Sequence, residues 1–189
     1  MSIRVAGIVG SLREGSLNKG LLRAAAELAP AGMEIEIYTR LGDIPPYNDD
    51  VFMKGDPEPV ADLKNFIGGA DALLISTPEY NYGVPGVLKN AIDWASRPSD
   101  DNAWSGKPVA VIGASVGRLG TARAQYHLRQ VFVTLNMYAL NQPEAMISNA
   151  SELFDAEGNL TDEKTRDHVR RLLNQLALWT CQLRNKRRE

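Results

Sequence analysis

Two histidines, a single cysteine and the lack of any long apolar run are the first things this chain of 189 residues shows. One thiol, Cys181, excludes an internal disulfide and fits a reducing compartment. No stretch approaches the roughly 18 to 20 apolar residues of a membrane span. The start, Met1-Ser2-Ile3-Arg4-Val5, runs directly into apolar residues without a basic leader and cleavage site, so the expected location is the cytoplasm. Strong charge is missing too. A formal net charge of −2 gives no reason to expect nucleic acid or an anionic membrane as partner, and it lacks the acidity that suits docking to large basic redox proteins. Neither G-x-G-x-x-G nor a Walker P-loop occurs, which counts against a dinucleotide fold and a nucleoside triphosphatase. No metal site is expected.

What remains is an ordinary globular composition, 44% hydrophobic and 23% charged, long enough for one sizeable core. No repeat or linker interrupts it, so residues 1–189 read as a single domain. Short apolar runs alternate with amphipathic stretches, the βαβ rhythm of a parallel sheet covered on both faces. Residues 3–9, 72–76 and 108–112 are apolar nearly throughout, as strands buried on two sides must be. Glu34-Ile35-Glu36-Ile37 alternates and therefore belongs at a sheet edge. Residues 137–140 read as a last, weak strand that Pro143 interrupts. Helices are expected over about 17–28, 57–67, 85–94, 120–134 and from Thr161 onward. This is an α/β, flavodoxin-like sandwich with five parallel strands in the order 2-1-3-4-5. Its chain reverses direction between strands one and three, which opens a crevice beyond their carboxyl ends.

Three loops face that crevice. The first carries Ser11, Arg13, Gly15, Ser16, Leu17 and Asn18 just ahead of a helix, an assortment suited to a phosphate dianion through main-chain amides, helix dipole and polar side chains. Read more plainly, Ser16 is an ordinary helix cap. The second loop, Thr77-Pro78-Glu79-Tyr80-Asn81-Tyr82-Gly83, has two tyrosines able to wall a flat heterocycle, which a tight turn alone would not require. The third, Gly113-Ala114-Ser115-Val116-Gly117-Arg118-Leu119-Gly120, lets main chain approach a planar ligand, with Ser115 as one hydrogen-bonding group.

Together with the helix Leu88-Lys89-Asn90-Ala91-Ile92-Asp93-Trp94, these motifs resemble the NADPH-dependent FMN reductase family, and within it the bacterial chromate and quinone reductases and related azoreductases. The resemblance runs the length of the chain, to Phe154-Asp155 and Gly158-Asn159-Leu160-Thr161. It implies that Ser11, Arg13, Ser16, Leu17 and Asn18 surround the FMN phosphate. It implies that Pro78, Glu79, Tyr80, Asn81 and Tyr82 run beside the ribityl chain and ring, and that Ser115 and Gly117 close the other edge. NADPH or NADH would be the donor and a quinone, chromate, an azo compound or free flavin the acceptor, with hydride passing through flavin N5 and no catalytic side chain. It also implies a homodimer or homotetramer. The apolar residues of the 85–95 helix, from Val87 to Ala95, look too many for one core stripe, and Arg123, Tyr126 and Glu144 are candidate contacts of a second interface.

Two other functions compete. Gly113 to Gly117 fits G-x-S-x-G, so Ser115 with Asp155 and His168 is the outline of a serine hydrolase, although His168 falls within an amphipathic helix. A flavodoxin-type electron carrier would share the fold and need a protein partner. The basic end, Arg184, Lys186, Arg187 and Arg188, reads as a frayed cationic helix terminus.

Overall fold

The computed structural model describes residues 2–186. Four strands form the parallel core of the sheet: β1 (Ile3–Val9), β2 (Met33–Tyr38), β3 (Ala72–Ser76) and β4 (Pro108–Ala114). The order is β2-β1-β3-β4, and the register places Val9 beside Ser76 and Ser76 beside Ile112, so the chain turns away at one common edge. Every residue of β3 and β4 is buried, whereas β2 alternates and stands at the edge. Both follow from which strands have helices on two faces.

The last strand differs from expectation. It is two pieces, β5 (Tyr138–Ala139) and β6 (Ala145–Ile147), both parallel to β4. Between them lies Pro143, which has no N–H to give to a ladder, and the chain steps along β4 to resume pairing at Ile112. The sheet therefore has six strands where five were expected.

Helices α1 (Leu17–Glu27) and α6 (Glu163–Lys186) cover one face through Leu21, Leu22, Val169, Leu172 and Leu176. Helices α3 (Glu58–Gly68), α4 (Gly86–Ala95) and α5 (Ala122–Thr134) cover the other, while the one-turn α2 (Asp49–Phe52) lies in the long loop after β2. Gly20 of α1 sits where a Cβ would run into the carbonyl of Gly158 and the ring of Phe154, so the segment before α6 packs directly on α1.

Two expectations are corrected here. The apolar residues of α4 are not in surplus: Leu88, Ala91, Ile92, Trp94 and Ala95 are all buried within the one chain. The long loop covers them, its Pro45 carbonyl accepting from Trp94 Nε1 at 2.8 Å and its Tyr47 ring meeting Trp94 edge-on. Nor is α6 frayed at Arg184, which pairs with Asp71 at the start of β3 and reaches the Ser2 carbonyl. Arg187 and Arg188 lie outside the described residues.

Candidate active site

The loops after β1, β3 and β4 meet above the carboxyl ends of those strands. In the first, residues 10–16, the two serine side chains turn inward. Ser16 caps α1 by accepting from Lys19 N at 3.4 Å. Ser11 is buried, and its Oγ lies 3.3 Å from the Tyr80 hydroxyl, joining the first loop to the second. Asn18 overturns an expectation. Its carboxamide donates to Ala114 O and accepts from Ala114 N, both at 2.9 Å, and the Ser76 hydroxyl donates to Asn18 O at 2.9 Å. Both polar atoms of the side chain thus close the gap between α1 and β4 and are not turned outward to a phosphate. The outward face of this loop is main chain. The N–H groups of Arg13, Glu14 and Gly15 have no acceptor among the described residues, and those of Leu17 and Asn18 belong to the first turn of α1, where no intrahelical partner exists. Arg13 is exposed beside them. Leu17 contributes its amide, since its side chain packs into the core on the α1 face.

The second loop is a tight reversal. Tyr80 and Gly83 exchange main-chain hydrogen bonds at 3.1 and 2.9 Å, and Asn81 and Tyr82 between them take φ of 47° and 68°. Two successive positive φ values make a type I′ turn, which is strained for a tyrosine. Pro78 is buried beneath it. Glu79 was expected against the ring and ribityl chain; its carboxylate points the other way, only 5% exposed. It accepts from Arg123 N at 2.9 Å and Ala124 N at 3.2 Å, filling the cap of α5 that Thr121 leaves open, and it pairs with the Arg123 guanidinium. That guanidinium stacks 3.5 Å from the centre of the Tyr82 ring. Chiefly by its hydrogen bond to Glu79, Arg123 is held even more firmly protonated than an ordinary arginine. Arg123, assigned by sequence to an interface, is instead the brace between Glu79 and Tyr82. Tyr126 reaches Glu144 within the same chain, at 3.5 Å.

In the third loop Ser115 Oγ accepts from Gly117 N at 3.1 Å, and Ser115 N donates to Ile147 O at 2.9 Å, so β6 supports this loop from below. Gly113 is required by crowding: a Cβ there would overlap the Thr121 hydroxyl and the Thr77 carbonyl. The hydrolase outline dissolves. His168 Nε2 meets the Glu144 carbonyl at 2.6 Å, Asp155 accepts from Asn159 at 2.8 Å, and neither bonds Ser115.

Between the second and third loops lies a crevice of about 540 Å³, with Tyr82, Asn81, Ser115, Gly117 and Arg118 in its lining. Among the described residues, five of the eleven large apolar or aromatic side chains left exposed, Leu12, Tyr80, Tyr82, Val116 and Leu119, stand on these three loops. Such clustering marks a binding surface. One end of the arrangement offers unpaired N–H groups to an anion, and the other offers aromatic and aliphatic faces to a flat body.

Residues 3–152 match the NADPH-dependent FMN reductase family. The chain belongs to that family. An NAD(P)H-dependent FMN reductase of Pseudomonas aeruginosa is 54% identical over 182 residues, covering 96% of this chain and 97% of its own. A 2-hydroxy-1,4-benzoquinone reductase from Burkholderia sp. is 45% identical over 179 residues, 95% and 97% of the two chains. The solved structure of FerB, a flavoenzyme NAD(P)H:(acceptor) oxidoreductase from Paracoccus denitrificans, superposes with a TM-score of 0.87 at 42% identity, covering 95% and 98%. In this member of the family the brace at Arg123 and the outward Val116 and Leu119 were not anticipated from the sequence. The latter pair was legible, since two apolar residues among glycines and an arginine have no core stripe to join.

Proposed function

We propose that the protein, read as one domain over residues 1–189, is an FMN-dependent oxidoreductase that carries electrons from NADPH or NADH to small acceptors, quinones first among them. The same open crevice would serve chromate, azo compounds or free flavin. The observation that carries this reading is a row of N–H groups over residues 13–18 with no acceptor among the described residues, on a loop joined through the Ser11–Tyr80 contact to the loop that exposes the rings of Tyr80 and Tyr82.

The residues present fit FMN. Arg13, Ser11, Ser16 and the main-chain amides of Leu17 and Asn18 would hold its phosphate. Pro78, Tyr80, Asn81 and Tyr82 would line one side of ribityl chain and ring, and Ser115 and Gly117 the other. Glu79 serves this set through Arg123 and Tyr82. When bound, FMN supplies the acceptance of hydride at N5 and its onward delivery, chemistry that no side chain here performs. The chain's own part is to place donor and acceptor in turn on one open face and to aim main-chain N–H groups where negative charge grows. No side-chain acid or base is assigned.

Assembly into a homodimer or homotetramer, implied by family resemblance, is supported by Tyr126 and Val133, 52% and 81% exposed on the outer side of α5. Among the described residues no helix is long and apolar enough to cross a membrane. We place the protein in the cytoplasm, where its lone cysteine, exposed Cys181, would stay reduced.

The deciding experiment is a visible spectrum of protein incubated with FMN and then gel-filtered. The expected result is a retained flavin band that bleaches on anaerobic addition of NADPH and returns with a quinone. Colourless protein without NADPH oxidation would overturn the reading, and oxidation of NADPH by the isolated protein would exclude a pure electron carrier.

A further inference from the structure

A second cavity lies on the far side of the first loop from the crevice, at the carboxyl ends of β1 and β2. It encloses about 550 Å³, within the size range of small-molecule sites. Val9, Leu22, Ile37 and Leu41 form apolar walls, and Lys19 and Arg23, one helical turn apart on α1, stand at its rim. Neither cation has a carboxylate partner among the described residues. Lys19 Nζ donates to the Leu12 carbonyl at 3.1 Å and Arg23 Nη2 to the Gly158 carbonyl at 3.0 Å. Arg40, Arg123, Arg170 and Arg184 sit on acids, whereas Lys19 and Arg23 share one cavity without an acid partner. The one acid in the lining, Asp43, is held by Arg40 at 3.2 Å, so the cavity keeps its positive charge.

Ser11 lines the cavity and its Oγ lies 3.3 Å from the Tyr80 hydroxyl, so the first loop links the cavity to the second loop of the site. Leu12, half exposed, covers the opening: its side chain lies within 3.3 Å of where a Cβ on Gly42 would stand. Apolar walls for a flat base, two unpaired cations for a phosphate, and a position outside the carboxyl ends of the strands define one ligand chemistry.

The geometry points to a nucleotide subsite here: a phosphorylated adenosine, its base against Leu12 and Ile37 and its phosphate on Lys19 and Arg23. It deepens the proposed function and rests on it in one respect, that the adenosine phosphate is the far end of the nicotinamide donor. The phosphate is then either the 2′-phosphate of NADPH or the pyrophosphate that NADPH and NADH share.

The test is titration of FMN-loaded, ¹⁵N-labelled protein with 2′-AMP and with 5′-AMP, followed by steady-state kinetics with NADPH and NADH. The expected result is shifts at the amides of Leu12, Lys19, Thr39 and Gly42, with Arg23→Gln weakening binding about tenfold, as loss of one charge-assisted hydrogen bond does. Gly42→Phe should fill the opening and give the same loss, since a Cβ at this position meets only the flexible tip of Leu12. Stronger binding of 2′-AMP, with KM rising for NADPH alone, assigns the 2′-phosphate; equal losses for both donors assign the pyrophosphate. Shifts confined to residues 115–123, or Arg23→Gln and Gly42→Phe both binding as wild type, would overturn the subsite. If the protein neither retains FMN nor oxidises NADPH yet the titration maps to Lys19 and Gly42, the subsite stands and the redox reading falls.

Discussion

The first and second loops of the site are built on the same plan with opposite materials. Each turns one polar side chain away from the ligand and uses it to fasten the loop to a distant element. In the first loop the fastener is neutral: Asn18, 3% exposed, pairs with both main-chain groups of Ala114 as another strand would. In the second it is charged: Glu79, 5% exposed, caps α5 and pairs with Arg123. What each loop shows outward follows. Beside the neutral fastener the loop is left with bare N–H groups and an electropositive helix start, which suit an anion. The charged fastener recruits an arginine, and the arginine's flat face supports a tyrosine, which suits a ring. A binding surface is thus set by which polar groups are turned inward.

The sharpest way to break this comparison is Asn18→Ala. It strands the Ala114 N–H and C=O together, and each buried unpaired group costs about 1–3 kcal/mol, so a loss of about 3 kcal/mol is expected. Urea unfolding should show a lower midpoint at unchanged slope. Asn18→Asp should recover little, since a carboxylate cannot donate to the Ala114 carbonyl. A loss under about 1 kcal/mol for Asn18→Ala would mean the pairing with Ala114 contributes little. Glu79→Gln comes next. The Arg123 side chain is 36% exposed and water relieves part of its lost partner, so about 2 kcal/mol is expected. The charge-specific claim is the double-mutant cycle with Arg123→Met, which should return a coupling of about 1 kcal/mol or more. Additive effects would mean Glu79 acts as a cap alone.

Tyr82→Gly separates stability from function. Glycine relieves a positive φ that costs a tyrosine about 1–3 kcal/mol, while the lost ring contact with Arg123 is worth about 0.5–1 kcal/mol at an exposed site. Stability should therefore hold or rise slightly, while the KM for a quinone increases several-fold and FMN is released more easily in gel filtration. A destabilised Tyr82→Gly with unchanged KM would show that the ring serves the fold and not the ligand.

These two fasteners also explain what the sequence could and could not say. Strands β1, β3 and β4 were legible because burial on both faces leaves only apolar residues, and β2 because an edge strand must alternate. The last strand was legible as weak but not as two pieces, since resumption of pairing after Pro143 depends on the length of β4 beside it. The three loops were legible from their residue types. The direction of each side chain was not. Asn18 looks the same whether it donates to a phosphate or to Ala114, 96 residues away. Glu79 looks the same beside a ribityl chain or on α5, 44 residues away. Local pattern names the groups, and only tertiary neighbours decide which way they turn.

A third fastener, charged like Glu79 but at the opposite end of the sheet, tests whether charge rather than site chemistry sets pH sensitivity. Asp71 is partly buried, and burial alone would raise its pKa, but the Arg4 N–H at 2.8 Å and the Arg184 guanidinium outweigh this and hold it below the usual carboxylate range. With the folded-state pKa depressed, the unfolded chain takes up the proton first as pH falls. The stability Asp71 supplies is therefore complete at neutral pH and drains away as acid passes from the ordinary carboxylate range down through its lowered value. Asp71→Asn should accordingly destabilise at pH 7 by less than either site fastener, because Asp71 and Arg184 are each about 30% exposed and partly screened. The difference from wild type should shrink steadily as the pH is lowered below the unperturbed carboxylate range. Asn18→Ala contains no titrating group, so its deficit should stay constant over the same interval. Urea midpoints of the two variants between pH 7 and pH 3 give the comparison directly, and parallel curves would mean that Asp71 acts through its shape and hydrogen bonds and not through its charge.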